Sequence, residues 1–157
     1  MPGPALPLTG GCICGQLRYE VAQPQIVLMC HCRNCQQRTG SAFNLSMLTL
    51  RGDFRIVAGE TVARELPGGS GALHRQRFCP DCLVRTHTEM LAYPDIINVR
   101  VGTLDDPAAL PPPAAQIWTS LAQPFAVAPD VLAFDENPPE VESLAAAWRA
   151  AFLVTAA

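Results

Sequence analysis

The chain has 157 residues, of which 49% are hydrophobic and 16% are charged. This composition excludes an intrinsically disordered protein, which needs few apolar residues and a high net charge. The formal net charge is −3 and all eleven basic residues are arginines. A nucleic-acid partner is therefore not expected, and lysine-dependent chemistry such as a Schiff base is excluded. Fifteen prolines argue against a helical bundle and favour a β-rich fold.

Alternating apolar and polar residues predict strands along most of the chain. The turn signal at 67–71, Pro-Gly-Gly-Ser-Gly, separates two further strands. The strands that the pattern predicts cover residues 16–21, 25–29, 43–47, 54–58, a segment before the turn, 72–78 and 97–101. A mainly β fold follows from this pattern.

The last segment differs from the rest because it has helical periodicity. Leu144, Trp148 and Phe152 recur at four-residue spacing after two prolines, which predicts an amphipathic helix that docks on its own domain or on a twin subunit in a homodimer. We expect a β domain over 8–135 and a helical extension over 136–157. The chain shows no signal peptide and no apolar run of about 18 residues. It is therefore expected in the cytoplasm, without a membrane partner.

Seven cysteines form a C-x-C pair, a C-x-C-x-x-C triplet and a C-x-x-C pair. Such spacings bring several thiolates to one ion, and structural zinc takes four ligands. The triplet supplies three ligands from one short loop, which leaves the two pairs to form a closed quartet. The spacing thus predicts two Zn²⁺ ions per chain, a structural one and one with an open position. The quartet is Cys12, Cys14, Cys79 and Cys82, and the triplet is Cys30, Cys32 and Cys35.

Other interpretations of the cysteines remain open at this stage. The seven residues could be buried thiols, or the C-x-x-C pairs could be redox-active. The triplet could also be closed as a second structural site by His31, His74, His87 or a carboxylate. The identity of its fourth ligand decides between a catalytic and a structural zinc.

Several separate blocks of the sequence resemble the glutathione-dependent formaldehyde-activating enzyme family, whose superfamily includes centromere protein V. The blocks follow the family's order over about residues 8–125. They are GGCICG at 10–15, RY at 18–19, CHCRNCQ at 30–36, TGSAF at 39–43, FCPDC at 78–82 and VGTLDDP at 101–107. The resemblance implies a mainly antiparallel fold of the β-tent type with two zinc ions, the quartet structural and the triplet catalytic.

The reaction that this resemblance implies is the addition of glutathione to formaldehyde, a carbon–sulfur lyase-type step that gives S-hydroxymethylglutathione. Glutathione carries two carboxylates, so Arg33 and Arg38 beside the triplet are candidates to bind them. Thr39, Gly40 and Ser41 are candidates to donate hydrogen bonds to the substrate. His31 lies between two ligands and is a candidate to orient a thiolate.

Two rival functions follow from the same resemblance. One is a zinc-stabilised binding module without catalysis, and the other is an enzyme that uses a different thiol or aldehyde. The chain also departs from the family pattern near the expected substrate. Leu83 replaces the usual glycine after the last cysteine, residues 84–88 replace an aromatic-rich stretch, and Phe125 replaces a tryptophan. If the turn at Leu83 is left-handed, its Cβ causes a modest strain.

Overall fold

The computed structural model describes residues 5–156, with side chains described as far as Leu153. Within that range the chain forms ten strands and two α-helices joined by turns and short 3₁₀ segments. The strands are β1 (Leu8–Gly11), β2 (Arg18–Val21), β3 (Pro24–Cys30), β4 (Asn44–Leu50), β5 (Phe54–Ala58), β6 (Val62–Pro67), β7 (Leu73–Phe78), β8 (Arg85–Met90), β9 (Ile96–Arg100) and β10 (Ala115–Ile117). The helices are α1 (Arg33–Thr39) and α2 (Val141–Ala156).

The strands form two sheets. The smaller sheet has the order β1-β2-β5, and the larger one has the order β10-β3-β4-β9-β8-β7-β6. All pairs are antiparallel except that of β10 with β3, which is parallel. The predicted mainly β class with one C-terminal helix is therefore confirmed, with a mixed rather than purely antiparallel larger sheet.

Aromatic side chains join the two sheets. Tyr19 of β2 is fully buried, and its ring centroid lies 5.4 Å from that of Phe54 on β5. Phe54 in turn packs against the imidazole of His87 on β8, at 4.5 Å between centroids. The Tyr19 hydroxyl reaches Thr103 at 2.8 Å, so this buried polar group has a partner. One apolar core therefore extends from the smaller sheet to the larger one.

Helix α2 packs against strand β3 and contributes to the same core. Trp148 and Phe152, one helical turn apart, stack at 5.4 Å and are both buried. The Trp148 indole N–H donates to the carbonyl of Pro112 at 3.0 Å. This is the apolar face that the four-residue spacing predicts, while Ala157, the last residue of the predicted extension, lies outside the described residues.

The structure differs from the sequence-based expectation in the short strands β1 and β10, which the pattern does not predict, and in two further segments next to the cysteines. Helix α1 occupies the segment for which the pattern predicts only a short loop, and β8 is a strand that the pattern does not predict. Strand β3 ends at Cys30, as expected from its apolar run. In the described part of the chain, no helix is long and apolar enough to cross a membrane.

Candidate metal centres and the adjoining cavity

The four cysteines of the quartet lie together, although they come from segments far apart in sequence. Their sulfur atoms all lie within 4.8 Å of one another. The Sγ atoms of Cys12 and Cys14 are 3.3 Å apart, and those of Cys14 and Cys79 are 3.7 Å apart. A tetrahedron of sulfurs around zinc has edges of about 3.8 Å, so the donor set fits a Zn²⁺ ion.

Two tight turns present these sulfurs. In the first turn, the amide of Cys12 donates to the carbonyl of Leu17, and the amide of Leu17 donates to the Cys12 sulfur at 3.2 Å. In the second turn, the amide of Leu83 donates to the carbonyl of Cys79. Leu83 has φ of +59°, so the left-handed turn expected at this position is present. Backbone hydrogen bonds therefore fix both turns around the sulfurs.

The environment of the quartet favours the loss of thiol protons, which metal binding requires. Burial alone would raise the pKa of Cys12, but the Leu17 amide and the neighbouring thiols lower it to about 6. The Gln16 amide favours the thiolate of Cys14, yet the neighbouring sulfurs, Cys12 first, and burial together outweigh it and raise the pKa of Cys14 to about 12. The first proton therefore leaves from Cys12, where the backbone donor is best placed.

The triplet is built at the junction of a strand and a helix. Cys30 is the last residue of β3, Cys32 is the N-cap of α1, and Cys35 lies in the first turn of that helix. Their three sulfurs lie within 4.8 Å of one another. The Cys32 sulfur accepts hydrogen bonds from the Cys30 and Cys35 thiols and from the Cys35 amide, and these bonds lower the pKa of Cys32 to about 2. The helix start thus favours a thiolate here.

No histidine or carboxylate of the described residues joins the triplet. The His31 ring instead contacts the amide oxygen of Gln116, at 3.3 Å, and His87 contacts the Thr86 hydroxyl at 2.9 Å. His74 lines the adjoining cavity without belonging to the cluster. The described residues therefore supply three ligand atoms at this place and four at the quartet.

The triplet opens into a cavity of about 550 Å³ on one face of the larger sheet. The hairpin turn between β6 and β7 covers part of it, and Gly69 lies so close that an added Cβ would be 3.1 Å from the Cys32 sulfur. Asn34 of α1 holds this turn by donating to the carbonyl of Gly68 at 2.8 Å. Trp118 and Ile117 line the cavity from the other side. The arrangement leaves a partly covered space directly beside the three sulfurs.

Three arginines, Arg38, Arg85 and Arg100, line the same cavity. None of them belongs to an ion pair among the described residues. Burial, followed by the positive charge of Arg85, lowers the pKa of Arg100 to about 9, so its guanidinium is still protonated at neutral pH. Burial also lowers the pKa of His74, with Arg38 acting in the same direction. The cavity is therefore positively charged and contains a neutral imidazole at pH 7.

The candidate substrate residues from the sequence are divided between two places. Arg38 lines the cavity of the triplet, whereas Arg33, Gly40 and Ser41 line a separate depression of about 370 Å³, together with Phe125. The Thr39 hydroxyl donates to the carbonyl of Cys35 at 2.9 Å and so stabilises the end of α1. Substrate contact by these residues stays a prediction.

The sequence pattern gives no separate signal for Arg85 and Arg100 as cavity residues. Arg100 ends a strand whose other residues are apolar except for Asn98, which is a weak sign of a special role. Arg85 lies in the segment that departs from the family pattern. The pairing of β7 with β8 and of β8 with β9 brings the two arginines together, and the pairing of β9 with β4 and of β4 with β3 brings them to the triplet.

Known proteins resemble this chain in sequence and in fold. The family model described as glutathione-dependent formaldehyde-activating enzyme matches residues 7–121. No curated protein matches the chain. The crystal structure of a Rhodobacter sphaeroides protein has a similar fold, with a TM-score of 0.52 and 19% sequence identity over 81% of this chain and 100% of that one. The family match covers most of the chain and includes all seven cysteines of the two groups. We conclude that the chain belongs to the glutathione-dependent formaldehyde-activating enzyme family.

Proposed function

We propose that this protein adds glutathione to formaldehyde, or to a related small aldehyde, and forms S-hydroxymethylglutathione. The family membership supports this reaction class. The observation that carries the proposal is the triplet of Cys30, Cys32 and Cys35, which faces a cavity of about 550 Å³ and receives no fourth ligand from the described residues.

We propose that two zinc ions bind per chain, one at the quartet and one at the triplet. The fit of both donor sets rests on their sulfur-only composition and on spacings that match a tetrahedron. The quartet would saturate its ion and hold two distant segments together. At the triplet, a bound zinc with a free position would keep an incoming thiol deprotonated at neutral pH.

The reaction needs positioning more than it needs a strong acid or base. A bond forms between the glutathione sulfur and the carbonyl carbon, the carbonyl π bond breaks, and the proton that leaves sulfur ends on oxygen. No oxidation or reduction takes place. The turn at 67–71 and the side chains of Ile117 and Trp118 confine both reactants beside the three sulfurs. Holding the two reactants together makes the addition effectively unimolecular.

The proposal also concerns the cellular compartment and the oligomeric state of the protein. We infer that it works in a reducing compartment such as the cytoplasm, because all seven cysteines are free thiols and thiolate ligands must stay reduced. A homodimer stays a prediction, and its test is the mass of the protein in solution.

The test compares zinc content with catalysis. We expect two zinc ions per chain by elemental analysis and, with ¹³C-formaldehyde and glutathione, an exchange rate between free formaldehyde and the adduct well above that in buffer, measured by NMR. Cys32→Ser should reduce the rate to that of buffer while the circular dichroism spectrum stays unchanged. Ser143→Ala, at an exposed position of α2 that lines neither the cavity nor the separate depression, is the control with normal zinc content and a normal rate.

Two outcomes would replace this proposal with one of the rivals. Two bound zinc ions without any acceleration, for glutathione and for a panel of other thiols and aldehydes, would favour a zinc-stabilised binding module. Acceleration only with another thiol or aldehyde would keep the enzyme and change its substrate. The fourth ligand of the triplet zinc, observed by X-ray absorption with and without glutathione, separates these cases further.

A further inference from the structure

We propose that Arg85 and Arg100 form a carboxylate-binding subsite in the cavity of the triplet, and that this subsite selects an anionic thiol as the substrate. This inference rests on the proposed function, from which it takes the reaction and the use of a thiol as substrate. The evidence for the subsite itself is the burial and bonding of the two guanidinium groups. Neither group is among the metal ligands.

Arg100 is a buried cation whose bonding is incomplete. Only 9% of the residue is exposed. Its guanidinium donates to two hydroxyls, those of Ser46 at 3.2 Å and Thr88 at 2.8 Å. The remaining Nε–H is buried and has no partner in the described part of the chain. A guanidinium has five donors, and a buried charge is costly without an opposite charge. An anion is therefore expected to bind the Arg100 guanidinium.

Arg85 is held beside Arg100 by neutral groups. Its guanidinium donates to the side-chain oxygen of Gln76 at 2.8 Å. The Thr88 hydroxyl donates to the same oxygen at 2.9 Å and accepts from Arg100. Gln76 and Thr88 are both fully buried. This network fixes the directions of both guanidinium groups without neutralising either of them, as expected for a preorganised anion site.

The acidic residues near the cavity do not fill this role. Glu142 lines the cavity but is exposed, and it forms no ion pair with Arg85 or Arg100. Glu89, on the same strand as Arg85, is bound to Arg75 and Arg77. The three thiolates of the triplet are the nearest opposite charges, and most of their charge would be balanced by their own metal ion. A carboxylate from the substrate therefore completes the site.

The strand register gives the backbone separation between Arg100 and the strand that ends at Cys30. Arg100 pairs with Ser46, and Ser46 pairs with Leu28. Leu28 lies two residues before Cys30 on the same face of β3. Neighbouring strands are about 4.8 Å apart, so the backbone of Arg100 is about 10 Å from that of β3. Both arginines and the three sulfurs line the same cavity, so a thiol and a carboxylate of one short peptide such as glutathione can contact them together.

The test uses variants of both arginines and two forms of the same thiol. Glutathione and its diethyl ester share a sulfur and a peptide backbone, but only glutathione has free carboxylates. We expect Arg85→Gln and Arg100→Gln to lower kcat/KM for glutathione by about tenfold to hundredfold, the effect of losing a charge-assisted hydrogen bond. The same variants should change kcat/KM for the diester by less than about twofold. Arg64→Gln, on the exposed strand β6, is the matched control and should change neither value.

A binding measurement separates this inference from the proposed function. S-methylglutathione keeps both carboxylates but cannot react, so calorimetry with the zinc-loaded protein reports the subsite alone. Its affinity should fall about tenfold or more in Arg85→Gln and recover in part in Arg85→Lys. If the wild type binds this probe but shows no turnover, the subsite stands and the proposed function fails.

Two results would overturn the subsite. In the first, the arginine variants lower kcat/KM by the same factor for glutathione and for the diester, which is the effect of a merely structural role. The other is S-methylglutathione binding that is unchanged in Arg85→Gln. If Arg100→Gln fails to fold, Arg85→Gln alone decides, because Arg85 is less buried and donates to a single side chain.

Discussion

The two cysteine groups should contribute differently to stability, and one serine substitution in each group tests this. Cys14 is an exposed member of the quartet, so Cys14→Ser removes a ligand without opening a cavity in the core. Cys32→Ser removes a ligand of the triplet. We expect each variant to lose one zinc ion and to retain the other, because no residue is shared between the two groups.

The size of each effect follows from the length of chain that the metal closes. Cys14 and Cys79 are 65 positions apart, and a cross-link over that length stabilises the fold by about 4 kcal/mol in the chain-entropy model. Cys30 and Cys35 are only five positions apart, and the same model gives about 2 kcal/mol. For a chain of this size, the melting temperature should fall by about 8–16 °C for Cys14→Ser and by about 4–8 °C for Cys32→Ser.

Elemental analysis measures the zinc content, and thermal unfolding followed by tryptophan fluorescence measures the stability. The division into two independent sites would be refuted if either variant lost both zinc ions. It would also be refuted if Cys32→Ser lowered the melting temperature more than Cys14→Ser. Chelation of the wild type should reproduce the sum of the two shifts, since distant sites add.

Three further predictions concern the fold around the site. Burial lowers the pKa of His87 to about 4. The free energy of unfolding should therefore fall by about 1.4 kcal/mol per pH unit as the pH drops from about 6.5 towards 4. Urea titrations of His87→Asn should lack this contribution to the slope. Leu83→Gly should raise the free energy of unfolding by up to about 1 kcal/mol, because it relieves a left-handed residue that is 68% exposed, and a lower melting temperature would contradict this. Phe152→Ala should cost about 3–5 kcal/mol in urea unfolding, because this ring is 2% exposed and stacks on Trp148; a loss below about 1 kcal/mol would show that α2 is peripheral.

The strands that could be predicted are those with one apolar face. In β2, Tyr19 and Val21 are buried and alternate with half-buried polar residues, so the period of two is visible in the sequence. Strand β8 has no such signal. Its buried residues Thr86, His87 and Thr88 are all polar. Thr86 and His87 bond to each other, Thr88 donates to Gln76 of β7, and the His87 ring packs against Phe54. A pattern of hydrophobicity cannot predict a strand of this kind.

Helix α1 could not be predicted from the sequence pattern for a related reason. It has only seven residues, and its N-cap is the thiol of Cys32 instead of the serine, threonine, aspartate or asparagine that usually marks a helix start. The partition of the cysteines could still be predicted, because it depends on spacing and on the number of ligands that zinc takes. The arginines of the cavity could not, because strand register alone brings Arg85 and Arg100 together.

The way the chain delivers each cysteine group explains why one group has four sulfurs and the other has three. Two turns from separate segments approach the quartet from opposite sides, so four sulfurs can surround an ion. The triplet comes from one strand end and the helix that follows it, so its backbone lies on one side only. The other side faces the cavity, which is lined by three guanidinium groups that do not bind cations and by His74 and Glu142, neither of which belongs to the cluster of sulfurs. In the proposed function a fourth ligand would reach the triplet through this cavity, and the arginines would favour one that arrives on an anionic molecule.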